Sequence, residues 1–113
     1  MTNKEGLNRG WKLWDEIESL ERVRAKTAVL AGREGAAEMD RRIEKKQKEL
    51  IKVYLQIFRA INRLPGSKDR RVLQLRYLAC LPQEEIAYIM GYEEVRSVAR
   101  AIDRAAERIE RWK

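Results

Sequence analysis

The sequence has no histidine and a single cysteine, Cys80. No intrachain disulfide can form, a reducing compartment suits the chain, and a structural zinc site lacks its usual ligands. Cys80 has no imidazole to activate it, and no glycine-rich phosphate loop occurs. Glu84 and Glu85 are adjacent on a helical stretch and diverge, which is not the geometry of a catalytic carboxylate pair. These absences argue against an enzyme and imply no cofactor. With only six glycines and two prolines in 113 residues, a sandwich or barrel is disfavoured and helices are favoured. No apolar run approaches a membrane span and no signal-peptide core follows the first residue, so the expectation is a cytoplasmic protein without a membrane partner. Cys80 lies in the apolar run RYLACL and reads as a buried, inert thiol.

Charge, by contrast, is abundant. The net charge is +7 and the sequence pI about 9.8, which suits an acidic partner. The excess is uneven: residues 36–64 carry eight bases against four acids, whereas residues 65–113 carry ten against eight. The middle of the chain is therefore more basic, in proportion, than its C-terminal third.

Hydrophobic spacing outlines the helices. Residues 1–10, with Gly6 and Gly10, read as a frayed or capping start. Leu13, Ile17 and Leu20 then follow helical spacing to about Ala31, and Gly32 and Gly35 break the pattern. A second helix is expected from Ala37 to Arg63. Its seam of Leu50, Tyr54, Ile57, Ile61 and Leu64 alternates steps of four and three, and Ile51, Val53 and Phe58 widen it into a band that needs more than one neighbour. A hairpin joined at the glycines and an extended coiled-coil dimer both satisfy that band. Pro65 and Gly66 end the helix, and Ser67 reads as the N-cap of a third. A fourth helix starts near Pro82 and ends at Gly91, and a fifth runs from about Glu94 to Arg111.

The last two helices form one unit of pattern. Ile86, Ala87 and Met90 make one apolar face, and Val98, Ile102, Ala105 and Ile109 make another. Ala87 is small where two crossing helices approach most closely. Helix, short glycine turn and helix is the outline of a helix-turn-helix, whose second helix enters the DNA major groove. Opposite Val98 lie Arg96, Arg100, Asp103, Arg104, Glu107 and Arg111. As a charge pattern alone this ladder is a solvated face, with Glu107 spaced to pair with Arg104 or Arg111.

The stretch RRVLQLRYLACLPQEEIAYIMGYEEVRSVARAIDRAAERIER resembles region 4 of bacterial sigma factors and related phage regulators. The shared pattern is Leu75-Arg76-Tyr77, Leu81, Glu85-Ile86-Ala87 and Met90-Gly91, followed by Val98, Ile102, Arg104 and Ala105. With its helical N-terminal half, the whole chain looks most like the ArpU-like phage late-gene regulators. Gly91 and Val98 are seven residues apart where the family pattern usually has six, and Glu93 and Glu94 replace the usual serine or threonine of the turn. The resemblance implies that Arg96, Ser97, Arg100 and Arg104 face DNA. Gln83, at the start of the fourth helix, and Arg71, on the third, are candidates for phosphate contacts.

The expected architecture is thus all-α: a two-helix N-terminal hairpin or extended coiled-coil segment over residues 1–64, serving oligomerisation, then a three-helix module over residues 65–113. The leading functional expectation is a phage or prophage transcriptional regulator that binds double-stranded DNA, as a homodimer reading two half-sites. A module that docks on RNA polymerase or another phage protein without touching DNA is the alternative, favoured by Glu93 and Glu94. A small DNA-packaging (terminase) subunit is a third.

Overall fold

The computed structural model describes residues 2–110 and Trp112. The protein is all-α, and no strand occurs among the described residues. The elements are α1 (Asn3–Asn62), α2 (Ser67–Leu73) continued by a π-helical turn (Gln74–Leu78), α3 (Gln83–Met90) and α4 (Val95–Glu107). No described helix is long and apolar enough to cross a membrane. Residues 10–53 form one compact unit; residues 1–9 and 54–113 form the other.

In the first unit α1 is interrupted at one residue, Gly32, with φ 68° and ψ −150°. This region of dihedral space is essentially confined to glycine, and it reverses the chain. Arg24 binds Asp40, sixteen residues on, a separation that would be about 24 Å along a straight helix. Farther from the turn, Lys46 Nζ lies 2.8 Å from a Glu16 carboxylate oxygen. The two arms of this unit, 10–31 and 33–53, are therefore antiparallel, and the Glu16–Lys46 register brings Leu13 level with Leu50. Leu13, Ile17, Ile43, Leu50 and Val53 are buried. Gly35 does not break the helix as its residue type suggests. A Cβ there would collide with Thr27 Cγ2 and stand 2.9 Å from Ala31 Cβ, so glycine permits the close approach just beyond the turn.

In the second unit the start of the chain follows the capping, not the frayed, alternative expected for residues 1–10. Thr2 caps α1, its hydroxyl accepting the Glu5 N–H at 3.1 Å, and Leu7 is fully buried. Gly6 lies within the helix, and the Trp112 ring occupies the space beside it: a Cβ would lie 2.8 Å from the ring. Asn3 joins the two chain ends. Its amide donates to Ala106 O at 2.8 Å and Ile109 O at 2.9 Å, and its carbonyl accepts the Trp112 indole N–H at 2.9 Å. Those carbonyls belong to the last turn and exit of α4, where acceptors run short of backbone donors, although Ala106 O also accepts the Ile109 N–H at 3.2 Å.

Also buried in this unit are Ile57, Ile61, Leu64, Val72, Leu73 and Tyr77, and Ile86, Val98, Ile102 and Ala105; α4 packs against both α2 and α3. Gly66, not Ser67, occupies the N-cap of α2, and no side chain caps it. The Leu64-Pro65 turn is held from within the helix, where Arg70 donates to Leu64 O at 2.6 Å and Pro65 O at 3.1 Å. Cys80 is exposed, contrary to the buried thiol expected. The π turn ends the helix with the Ala79 N–H bonded to Gln74 O at 2.9 Å. Cys80 then adopts a left-handed φ of 57°, outside the helical register that would have turned its side chain inward, and the buried position goes to Tyr77. The Tyr54 hydroxyl lies 3.8 Å from Cys80 Sγ. Burial, with the thiol adding to it, pushes that phenol up to about 12.

Candidate functional site

The pairing of α3 with α4 depends on how α3 ends. Gly91 has φ 76° and ψ 25°, its N–H reaches Tyr88 O at 3.4 Å, and the Tyr92 N–H reaches Ala87 O at 2.9 Å. Two such bonds around a left-handed glycine are a Schellman ending, which satisfies the orphan carbonyls and redirects the chain at once. Nothing crowds Gly91, so its identity is required by the dihedral alone. Residues 91–94 then lead into α4, whose N-cap position, Glu94, is extended and offers no side-chain cap.

α4 is sharply two-faced. Val98, Ala101, Ile102, Ala105 and Ala106 are buried, as is Ile109 beyond the helix end. Arg96, Arg100, Asp103, Arg104 and Glu107 are exposed on the opposite side. The apolar residues singled out from the sequence pattern, Val98, Ile102, Ala105 and Ile109, all point inward, and Ile86 and Ala87 of α3 are buried with them.

Of the candidate site residues, the structure brings three together. Arg96, Arg100 and Arg104 follow one another at four-residue steps on the exposed face. Ser97 is half-buried at its edge, with its own N–H bonded to Glu94 O at 3.1 Å. Gln83, half-buried, begins α3, and Arg71 is exposed on α2. No hydrogen bond or ion pair among the described residues links either to the arginine face. Arg111 lies outside the described residues, and with it the pairing considered for Glu107.

The three arginines differ in what surrounds them. Arg96 is held by the Glu94 carboxylate in a two-pronged ion pair, and that hydrogen bond raises the guanidinium's already high pKa. Arg100 and Arg104 have no ion-pair partner among the described residues. Asp103, which stands between them, is occupied: Lys4 Nζ lies 2.8 Å from its carboxylate, and that hydrogen bond raises the Lys4 ammonium above its ordinary pKa. Arg108, on the flank, binds Asp69 at 2.7 Å. The ion pair with Glu107 that spacing offered to Arg104 does not form.

Lys4 and Asp69 are the residues that sequence reasoning missed. Each neutralises or anchors a charge of α4 from far along the chain, and no local periodicity signals either contact. Asn3 was missed for the same reason.

The fold and this face define an all-α, basic chain that carries a helix, a glycine turn and a second helix with arginines outward. Compared with known proteins, the chain matches no family model, no curated protein and no solved structure.

Proposed function

We propose that the protein is a phage or prophage transcriptional regulator that binds double-stranded DNA through α4, with Arg100 and Arg104 at the centre of the contact. One observation carries this reading. The two guanidinia stand exposed and without a carboxylate partner among the described residues, because the acid between them, Asp103, is taken by Lys4. Arginine on the outer face of a second helix suits both phosphate and guanine edges. The resemblance to sigma region 4 and ArpU-like regulators supports the choice of regulator and its phage setting, a cytoplasmic location and a homodimer. Gln83 and Arg71 are assigned to phosphates, and Ser97 to the edge of the contact.

A second reading is favoured by the Glu94–Arg96 ion pair, which with Glu93 places carboxylates where α4 would first approach a phosphate. In it the same module docks on RNA polymerase or another phage protein and leaves DNA alone.

Duplex DNA affinity measured across a salt series, for the wild type and Arg100→Ala, separates the two. DNA binding is expected to weaken with salt at a log–log slope of about −0.9 per phosphate neutralised. Arg100→Ala is expected to lower affinity roughly tenfold, the scale of one good arginine contact. Weak binding that is equal for the two proteins at every salt concentration would reject the DNA reading and leave protein docking.

A further inference from the structure

Two surfaces of the unit formed by residues 1–9 and 54–113 are left unused by the fold, and their chemistries are opposite. The first is the outer side of α3. Ile86 and Ala87 are buried, and helical spacing puts Glu84, Glu85, Tyr88 and Ile89 together on the other side. Tyr88 is 89% exposed and Ile89 43% exposed. Neither carboxylate has an ion pair or hydrogen bond among the described residues. The second surface is the outer side of α1 over residues 54–63. There Ile57, Ala60 and Ile61 face the core, while Leu55 and Phe58 stay 46% and 48% exposed. Arg59 follows Leu55 by one turn and Arg63 follows Arg59 by another, both exposed and both without a side-chain partner among the described residues.

We infer that these surfaces are the two halves of one self-contact: α3 of one copy docks on the 54–63 segment of α1 of a second copy. Each half offers one aromatic residue, one aliphatic residue and two like charges, and the charges are of opposite sign. Guanidinium–carboxylate pairs are the strongest polar contacts two such faces can make. The Tyr88 ring, bare on its own chain, supplies an aromatic face for an arginine or for Phe58. Exposed large apolar residues rimmed by charge are the ordinary mark of a docking surface. The second copy is the occupant because the complementary set lies on the same chain, and neither half is covered within it. This contact uses neither α4 nor DNA, so its failure would leave the DNA reading standing and bear only on the homodimer proposed with it.

Sedimentation velocity without DNA, over a wide range of protein and salt concentrations, tests it with three proteins. One is the wild type. The second is Glu84→Gln/Glu85→Gln/Tyr88→Ala, which removes the α3 half. The third is Leu55→Ala/Arg59→Gln/Arg63→Gln, which removes the α1 half. All six positions are exposed, and circular dichroism confirms that the variants keep the fold. The wild type is expected to self-associate with concentration and to dissociate as salt rises. Each variant alone is expected to associate about tenfold or more weakly, as loss of a charged and aromatic anchor entails. An equal mixture of the two variants is expected to recover a complex of one copy of each, since one intact pairing of faces remains. A wild type that stays monomeric at every concentration would overturn the inference. So would variants that associate as the wild type does, or a mixture that forms no complex.

Discussion

Glu94 and Arg96 set the terms on which the proposed reading face meets an anion. In the free protein their side chains are paired at the entrance of α4, so the first arginine of the face is engaged while Arg100 and Arg104 are not. Glu94→Gln removes the charge and keeps the shape. If α4 reads DNA, this substitution is expected to raise duplex affinity several-fold and to steepen the log–log salt slope by about 0.9, the value of one further phosphate contact. A salt series on the variant checks both. The glycines show how one residue type serves different ends. Gly32 and Gly91 are required by dihedral angle, with open space around both. Gly6 and Gly35 are required by volume, with Trp112 and Thr27 standing where a side chain would be. Only the first use is readable locally, since it coincides with the end of a hydrophobic period; the second depends on a neighbour that the local pattern does not name.

At the level of the element, α4 is amphipathic by its own sequence, but its C-terminal end is completed from elsewhere. Asn3 supplies donors to Ala106 and Ile109 and an acceptor to Trp112. Asn3→Ala is expected to destabilise the fold by about 2–3 kcal/mol, since three part-buried hydrogen bonds of about 1 kcal/mol each are lost together. Asn3→Asp is expected to cost more. The carboxylate still accepts the indole N–H, but it cannot donate to the carbonyls and puts a negative charge at the negative end of a helix. Urea unfolding of the two variants gives the order directly. The π turn before Cys80 is the opposite case, in which an element departs from its own pattern. RYLACL reads in the sequence as an apolar run with its thiol buried, yet the chain widens at Gln74–Leu78 and turns at Cys80. Tyr77 is buried and Cys80 is exposed.

For the whole molecule, the two compact units differ in how their apolar residues are used. Between Ile17 and Ile43 no described residue of the helical hairpin is a buried hydrophobic, and Val29 and Leu30 near its turn are 84% and 86% exposed. That end of the hairpin is held chiefly by the Arg24–Asp40 pair, whose hydrogen bond keeps the Asp40 carboxyl below its ordinary pKa. Exposed ion pairs contribute little. Amide hydrogen exchange is therefore expected to be fastest in residues 24–40 and slowest in residues 98–106, where the backbone lies beside fully buried side chains. Mass-spectrometric exchange on the intact chain measures this. Comparable protection of the two segments would mean that the hairpin end is covered in solution by a partner.

Composition and spacing alone determined that the chain is helical. They also placed the turn at Gly91 and told which residues of α4 face inward, because all of these are set within a few residues of sequence: a period of 3.6 for the helix, one left-handed dihedral for the turn. They equally set Arg96, Arg100 and Arg104 on one face. That Asp103 leaves Arg100 and Arg104 without an ion-pair partner among the described residues was decided only in the tertiary structure, by Lys4 engaging that acid. The same holds for the start of the chain, which becomes an ordered helix because Trp112 and Asn3 meet there. Charge pairing and burial are properties of neighbours in space, and these neighbours lie many residues apart in the chain.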